Sequence, residues 1–444
     1  MPLPLFPFQE AGAAFLASRE RAGLFDEPGV GKTAQAVRAL DLRGAIRGVV
    51  VAPAATREAW RGEFLKFQRI PRRTVKGVSI HDFVAWANGR FDVLVTSYDM
   101  FLKWGRYLDD RAEVLDFLVL DEAHYLKDDE TARARVILGR HPSFGATRWA
   151  ECAWWLTGTP VPNDPADIYT FMRFVGATRD KRPSFVSRYF SSRPRTYSST
   201  QTPRKDKLPE LQGLIGANSL RRRLIDTGVE LPPIFLTETL VDGDAKPVRE
   251  LLLAYPGLDA AIREALEGVG GGLSRLDADH VATLRRLIGE AKAVPYAAYL
   301  LEELRSGLDK CVVFGVHRLA LLNVRDYLWS HGVRAVLING DTPEAHRQEY
   351  MSQFQSDPNC RVLIGNIRAA GVGLTLTASC NIDMLESDWT PAGNAQALKR
   401  VHRFTQTRRV RARFITLADS FDQIVNSILA EKTAKIALLG DFAA

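Results

Sequence analysis

At 444 residues, with 46% apolar residues, 25% charged residues and a formal net charge of +7, the chain is too long for a single core. It is also too apolar for a disordered polyelectrolyte, and it suits two globular domains with extra elements. No apolar run reaches bilayer length, and Met1-Pro-Leu-Pro-Leu-Phe-Pro-Phe8 has neither a basic n-region nor a small-residue cleavage site, so no membrane contact and a cytoplasmic location are expected.

The first element is an Ala-rich helical stretch entered through Pro7-Phe8-Gln9. The Gln9 amide can donate and accept, which suits an adenine edge, although a lone glutamine also fits an exposed helix position. A short apolar run ending at Phe25 then meets Asp26-Glu-Pro-Gly-Val-Gly-Lys-Thr33, followed by helical spacing at Ala36, Val37 and Leu40. Strand, glycine loop and helix make a phosphate cradle. Gly29 and Gly31 let backbone N–H groups converge on an anion, with Pro28 and Val30 between and before them. Lys32 would reach the outer phosphates and Thr33 would take a place on Mg²⁺. The strict G-x-x-x-x-G-K-S/T pattern is not met, because its first glycine falls on Asp26.

Apolar runs at Val49–Pro53, Asp92–Tyr98, Phe117–His124 and Ala153–Pro160 alternate with helical spacing. That rhythm predicts a doubly wound parallel sheet, with Asp26, Pro53, Thr96, Asp121 and Thr157 at the carboxyl ends of strands, where ligands bind. Asp121 is placed to hold Mg²⁺, Glu122 to orient and deprotonate a water, and His124 to relay the nucleotide state. Asp164 and Pro165 mark a helix start. From Lys181 to Arg223 the chain has eleven Lys or Arg and two acids, while the remainder carries 48 basic and 50 acidic residues. A polyanion such as nucleic acid and a solvated loop both fit that surplus. Asp180 to Lys207 reads as an exposed, partly mobile loop, and Asp242 to Ala293 as helical without a sheet pattern.

Near Pro295 the α/β rhythm resumes, with strands expected at 310–314, 334–338, 361–364, 381–385 and 410–417. The expected domains are thus 1–180, a basic loop and helical insertion over 181–294, and 295–444. This second sheet has no glycine phosphate loop. It offers Ala369-Ala-Gly371-Val-Gly373 and Gln396 through Arg403, with Arg400 and Arg403 three apart on an expected helix. Cys152, Cys311, Cys360 and Cys380 are far apart with no C-x-x-C pairing, which argues for small buried hydrophobes and against zinc or disulfides.

Taken together, Asp26–Thr33, Ala52-Pro53 with Trp60, Asp121–His124, Leu156–Pro160 with Asn163, Leu220-Arg-Arg-Arg-Leu, Leu231-Pro-Pro, Trp389-Thr-Pro and Gln396–Gln406 resemble the Swi/Snf-type ATPase branch of helicase superfamily 2. Ile338–Thr342 with Arg347 and Asn366–Thr375 point nearest to its small annealing-helicase-like group. The resemblance covers nearly the whole chain. It implies two tandem RecA-like doubly wound lobes with a helical elaboration between them, and a monomeric motor that hydrolyses ATP with Mg²⁺ and moves along double-stranded DNA, forked or branched DNA included. Lys32, Asp121, Glu122, Arg400 and Arg403 would be catalytic; Gln9, Pro28 to Thr33, Gly371 and Gly373 would hold nucleotide. Pro53, Thr96, Ser97, Gly340, Asp341, Thr342, Arg368 and Trp389, with Arg193, Arg195, Arg204 and Lys205 of the basic segment, would touch DNA. Strand separation and a non-enzymatic clamp are the rival readings. Pro28 stands where the family usually has methionine, Leu398-Lys399 replace an acidic pair, and Phe404-Thr405 replace isoleucine and glycine; none removes a catalytic group. With no targeting module after Leu417, a compact motor of bacterial or viral type is expected over a chromatin remodeller, its recruiting partner unnamed.

Overall fold

The computed structural model describes residues 2–104, 115–139, 145–161, 164–194, 199–228, 230–267, 278–367, 375–389, 391–403 and 405–439. They form two compact units, residues 1–229 and 230–443.

In the first unit β1 (Arg21–Leu24), β2 (Gly48–Ala52), β3 (Thr74–Gly77), β4 (Val93–Ser97), β5 (Leu115–Asp121), β6 (Ala150–Leu156) and β9 (Ser219–Leu220) form one sheet in the order β3-β4-β2-β5-β6-β1-β9. Every pair is parallel. The strands are apolar at consecutive positions because both faces are covered. On β2, Val49 and Val51 join one core cluster with Phe83, Trp86, Phe101 and Phe171. Val50 and Ala52 join the other, beneath α1 (Pro7–Ala17), α2 (Lys32–Arg43) and α3 (Arg57–Phe67). Trp154 and Trp155 divide the same way, one to each face.

The second unit holds β10 (Ile234–Val241), β11 (Cys311–Gly315), β12 (Arg334–Ile338), β13 (Cys360–Asn366), β14 (Asn381–Met384) and β15 (Val410–Leu417), ordered β10-β15-β14-β11-β13-β12 and again all parallel. Cys311 and Val313 face one cluster, Val312 and Phe314 the other. The expected fold class holds in both units.

The middle of the chain differs from expectation. Residues 181–294 do not form a separate body: β9 adds to the first sheet and β10 to the second. β10 escapes periodicity because it is an edge strand, with Phe235 and Leu240 exposed. The expected loop at 180–207 is instead a helix, Arg182–Tyr189, and an antiparallel hairpin of β7 (Phe190–Pro194) and β8 (Ser199–Pro203). Buried Phe185, Tyr189 and Phe190 tie it to the core, so a few aromatics override a polar composition. A boundary at Pro295 is also corrected, since one helix runs from Ala278 to Arg305 through it. Proline removes one N–H, but Lys292 donates to the Ile415 carbonyl (2.7 Å) and Asp422 (2.8 Å), and Tyr296 donates to Asp383 (2.7 Å). These buried anchors on both sides of Pro295 hold the helix in register.

Trp154 is fully buried under the helices of one face, so Trp154→Ala is expected to destabilise the first unit by about 3–5 kcal/mol. Urea unfolding followed by tryptophan fluorescence measures the loss.

Candidate nucleotide site and motif surfaces

The carboxyl edge of the first sheet collects the motif residues. β1 ends at Leu24, and Phe25 packs edge-on to Phe171 at 4.7 Å between ring centroids. The loop then turns through Gly29 (φ +95°) and Gly31 (φ +83°), conformations that L side chains rarely adopt. α2 begins at Lys32, so its first N–H groups open onto the loop. The Lys32 ammonium bridges the Asp26 (2.7 Å) and Glu27 (3.2 Å) carbonyls. Gln9 is buried, donates to the Val30 carbonyl at 3.1 Å and accepts from the Phe6 N–H at 3.0 Å. Its amide therefore braces the loop from α1. A Cβ on Gly158 would come within 2.8 Å of the Pro28 ring, which shows how closely the loop after β6 packs on Pro28.

β5 delivers Asp121. Its Oδ2 accepts from the Trp60 indole N–H at 2.8 Å, its Oδ1 from the Glu122 N–H at 3.0 Å, and its carbonyl from the Tyr98 hydroxyl at 2.7 Å. Burial, then the Glu122 charge, push its carboxyl up to about 6, against the Trp60 N–H, the nearby Lys32 ammonium and the Glu122 N–H. Glu122 has φ +47°, a left-handed backbone that a glutamate adopts only when its surroundings impose it. His124 then joins two motifs: its Nδ1 lies 3.2 Å from Glu122 Oε2 and 3.0 Å from Thr157 Oγ1. Thr157 in turn accepts from the Thr159 N–H at 3.1 Å.

This donor set fits a nucleotide with Mg²⁺. The Gly29–Thr33 backbone and Lys32 suit phosphate oxygens. One hydroxyl, Thr33, and one carboxylate, Asp121, suit a small hard cation that keeps waters and phosphate oxygens as its other ligands.

Several expected DNA contacts lie elsewhere. Pro53 is buried; Thr96 is wholly buried with its hydroxyl on the Gly77 carbonyl (3.2 Å), and buried Ser97 accepts from the Met100 N–H (3.3 Å). Their expected contact with phosphates is corrected to bracing the strand ends, because buried side chains present no face to a duplex. Trp389 is half-buried against a core cluster, with the Arg285 guanidinium 4.9 Å over its ring. Gly340 and Asp341 are exposed at the end of β12, with Thr342 half-buried beside them. Arg347 holds that turn through the Thr342 (2.9 Å) and Asn339 (3.0 Å) carbonyls, and Arg318 pairs with Asp341 (2.8 Å).

Arg204 and Lys205 are exposed, Arg204 beside Asp206 at 3.2 Å. Arg193 lies on β7 opposite Thr200. Arg400 and Arg403 do not share a helix face, because the helix Pro391–Leu398 ends before them and they sit in the turn that follows. There Arg403 donates to Thr375 Oγ1 at 2.7 Å. Arg195, Arg368, Gly371, Gly373 and Asn163 lie outside the described residues.

One residue was legible only as part of a motif. Arg222, from Leu220-Arg-Arg-Arg-Leu, reaches into the glycine loop and pairs with Asp26. Arginine triplets are common on surfaces, so nothing local distinguished the middle one.

The model of the SNF2-related domain matches residues 8–237, and that of the helicase conserved C-terminal domain residues 296–405. The chain belongs to the SNF2-related family of helicase-like ATPases. SNF2-related relatives include SWI/SNF-related matrix-associated actin-dependent regulator of chromatin subfamily A-like protein 1 of Xenopus tropicalis, 28% identical over 98% of this chain and 45% of the relative. The same protein of Drosophila melanogaster is 27% identical over 99% of this chain and 56% of its own length. DNA annealing helicase and endonuclease ZRANB3 of Bos taurus is 26% identical over 96% and 40%. The chain spans about half the length of the curated relatives it matches. The solved Sulfolobus solfataricus SWI2/SNF2 ATPase core in complex with dsDNA is similar at TM-score 0.45 and 18% identity, covering 99% of this chain and 96% of that one.

The raised Asp121 carboxyl has a stability consequence for this SNF2-related site. Because its folded value lies above the ordinary 3.8, the folded state holds the proton more tightly, and stability falls as pH rises between those values. Above about pH 6 the cost is fully present. In nucleotide-free protein with EDTA, Asp121→Asn is expected to raise Tm at pH 7.5, with a smaller gain at pH 5; calorimetry at both pH values checks it.

Proposed function

We propose that the chain is a DNA-stimulated ATPase that translocates on double-stranded DNA and remodels or reanneals DNA structures without separating strands. The observation that carries this reading is the unbroken chain of contacts from Asp121 and Glu122 through His124 to Thr157, beside an intact glycine loop with Lys32. A retired ATPase serving as a clamp would have no reason to keep a strained glutamate beside a buried, raised aspartate. The names of the relatives, annealing helicase among them, favour DNA as the track.

In this reading Gly29 to Thr33 hold the phosphates, Gln9, expected on adenine, braces the loop through the Val30 carbonyl, and Thr33 and Asp121 hold Mg²⁺. Bound Mg²⁺ supplies charge neutralisation on the phosphate oxygens. Glu122 accepts a proton from the attacking water, and His124 keeps that carboxylate oriented. Arg400 and Arg403 are assigned further positive charge for the separating phosphoryl group. The exposure of Gly340, Asp341, Arg204 and Lys205 supports assigning them, with Thr342, to contacts with DNA phosphates, which carry no sequence information. Monomeric action and a preference for forked or branched duplexes belong to the same proposal.

Lys32→Ala is expected to abolish turnover, and Glu122→Gln to keep ATP binding while losing hydrolysis. Arg403→Ala should lower turnover by roughly 10³ with ATP affinity little changed. Steady-state hydrolysis and equilibrium nucleotide binding separate these outcomes, and normal hydrolysis by the Glu122→Gln protein would remove that residue from the reaction.

The track is tested separately. Duplex DNA is expected to stimulate hydrolysis more than single strands or RNA, and the protein to displace a third strand from a triplex but not to unwind a blunt duplex. Efficient unwinding of that duplex would promote the helicase reading.

A further inference from the structure

The phosphate loop of this chain carries a fully buried carboxylate, Asp26, where the strict pattern has glycine. A buried carboxylate is tolerated only when its charge and lone pairs are met. Asp26 Oδ1 accepts from the Arg222 backbone N–H at 3.0 Å and the Arg222 Nε at 3.1 Å. Its Oδ2 accepts from the Arg222 Nη2 and from Gln35 Nε2 at 3.0 Å. Arg222 also donates to Gln35 Oε1 at 2.6 Å and to the Phe8 carbonyl, with its guanidinium 5.4 Å over the Phe8 ring. Space for this network is kept by Gly12, where any Cβ would collide with Gln35 Oε1 and the Arg222 guanidinium.

The backbone is joined at the same place. Phe25 N–H donates to the Leu220 carbonyl (2.7 Å), Glu27 N–H to the Arg222 carbonyl (3.1 Å), and Leu224 N–H to Glu27 Oε2 (3.0 Å). β9 therefore does not simply extend the sheet; it delivers a bidentate cation to the first residue of the loop. The Lys32 ammonium rests on the carbonyls of Asp26 and Glu27, the two residues so held.

We propose that Arg222 is a positioning residue for nucleotide binding, holding the phosphate loop in its anion-receiving shape through the buried Asp26 carboxylate. The proposal rests on residues 26–33 being the phosphate loop. The pair is asymmetric. Asp26 has no exposure, whereas the Arg222 side chain is 15% exposed and can turn towards water if its partner is neutralised. Loss of Arg222 therefore disturbs the loop more than neutralisation of Asp26. Lysine cannot replace it, since one ammonium cannot reproduce the fork across both carboxylate oxygens.

The test measures equilibrium binding of a fluorescent ATP analogue with Mg²⁺ to the whole chain, with circular dichroism confirming folding. Arg222→Gln is expected to weaken binding about tenfold or more and to raise the KM for ATP while leaving kcat at saturating ATP largely intact. Arg222→Lys should also bind more weakly than the parent. The double variant Asp26→Asn/Arg222→Gln, a neutral hydrogen-bonding pair, should recover most of the affinity. Parental affinity in Arg222→Gln overturns the proposal, and so does a folded double variant that recovers nothing, which would mark Arg222 as framework only. If Arg222→Gln does not fold, Asp26→Asn decides: weaker binding by a few fold supports the proposal, and unchanged binding overturns it. Lys32→Ala, run alongside, tests the underlying reading separately, because retained binding there would mean that residues 26–33 are not the nucleotide site.

Discussion

A parallel sheet covered on both faces leaves polar chemistry only its strand ends. In the first unit, strand residues alternate between two apolar clusters, so a carboxylate in mid-strand would be an unpaid desolvation. At the carboxyl edge, Asp26, Asp121 and Thr157 stand where each strand stops, and neighbouring loops supply their partners. Three consecutive strands in the order β5-β6-β1 bring residues that are distant in sequence into one site.

The two buried aspartates at that edge are treated in opposite ways. Asp26 meets a guanidinium and an amide, and the result is a fixed ion pair that shapes backbone. Asp121 meets one indole N–H and one backbone N–H, with Lys32 farther off, and its carboxyl stays raised to about 6. A carboxylate left under-compensated is a stability cost in the empty protein and an advantage for binding a cation. The strained backbone of Glu122 belongs to the same economy, held by Tyr98 below it and His124 beside it.

The second unit uses its buried charges differently. Arg413 makes two contacts to Asp383 (2.7 and 2.6 Å) and a third to Glu303 (2.6 Å), while Glu386 accepts from the Val316 and His317 N–H groups (2.9 and 2.8 Å). These pairs tie the long helix Ala278–Arg305 and the β11 loop to the sheet. These buried pairs of the second unit serve its architecture.

The sequence alone determined the parallel α/β rhythm, the glycine loop before Lys32, the Asp121-Glu122-Ala-His124 block and the family, because consecutive apolar runs and glycine spacing are local properties that no distant contact needs to explain. It misjudged whatever depends on partners far along the chain. β9 and β10 are short or half-exposed and become strands only through pairing with β1 and β15. Thr96 and Ser97 carry surface chemistry by residue type yet are held inward by packing. Arg400 and Arg403 keep their spacing but lose their shared face where the helix stops at Leu398. The role of Arg222 was decided 196 residues from Asp26, since burial of a carboxylate is a property of the folded neighbourhood and only tertiary structure could choose which arginine neutralises it.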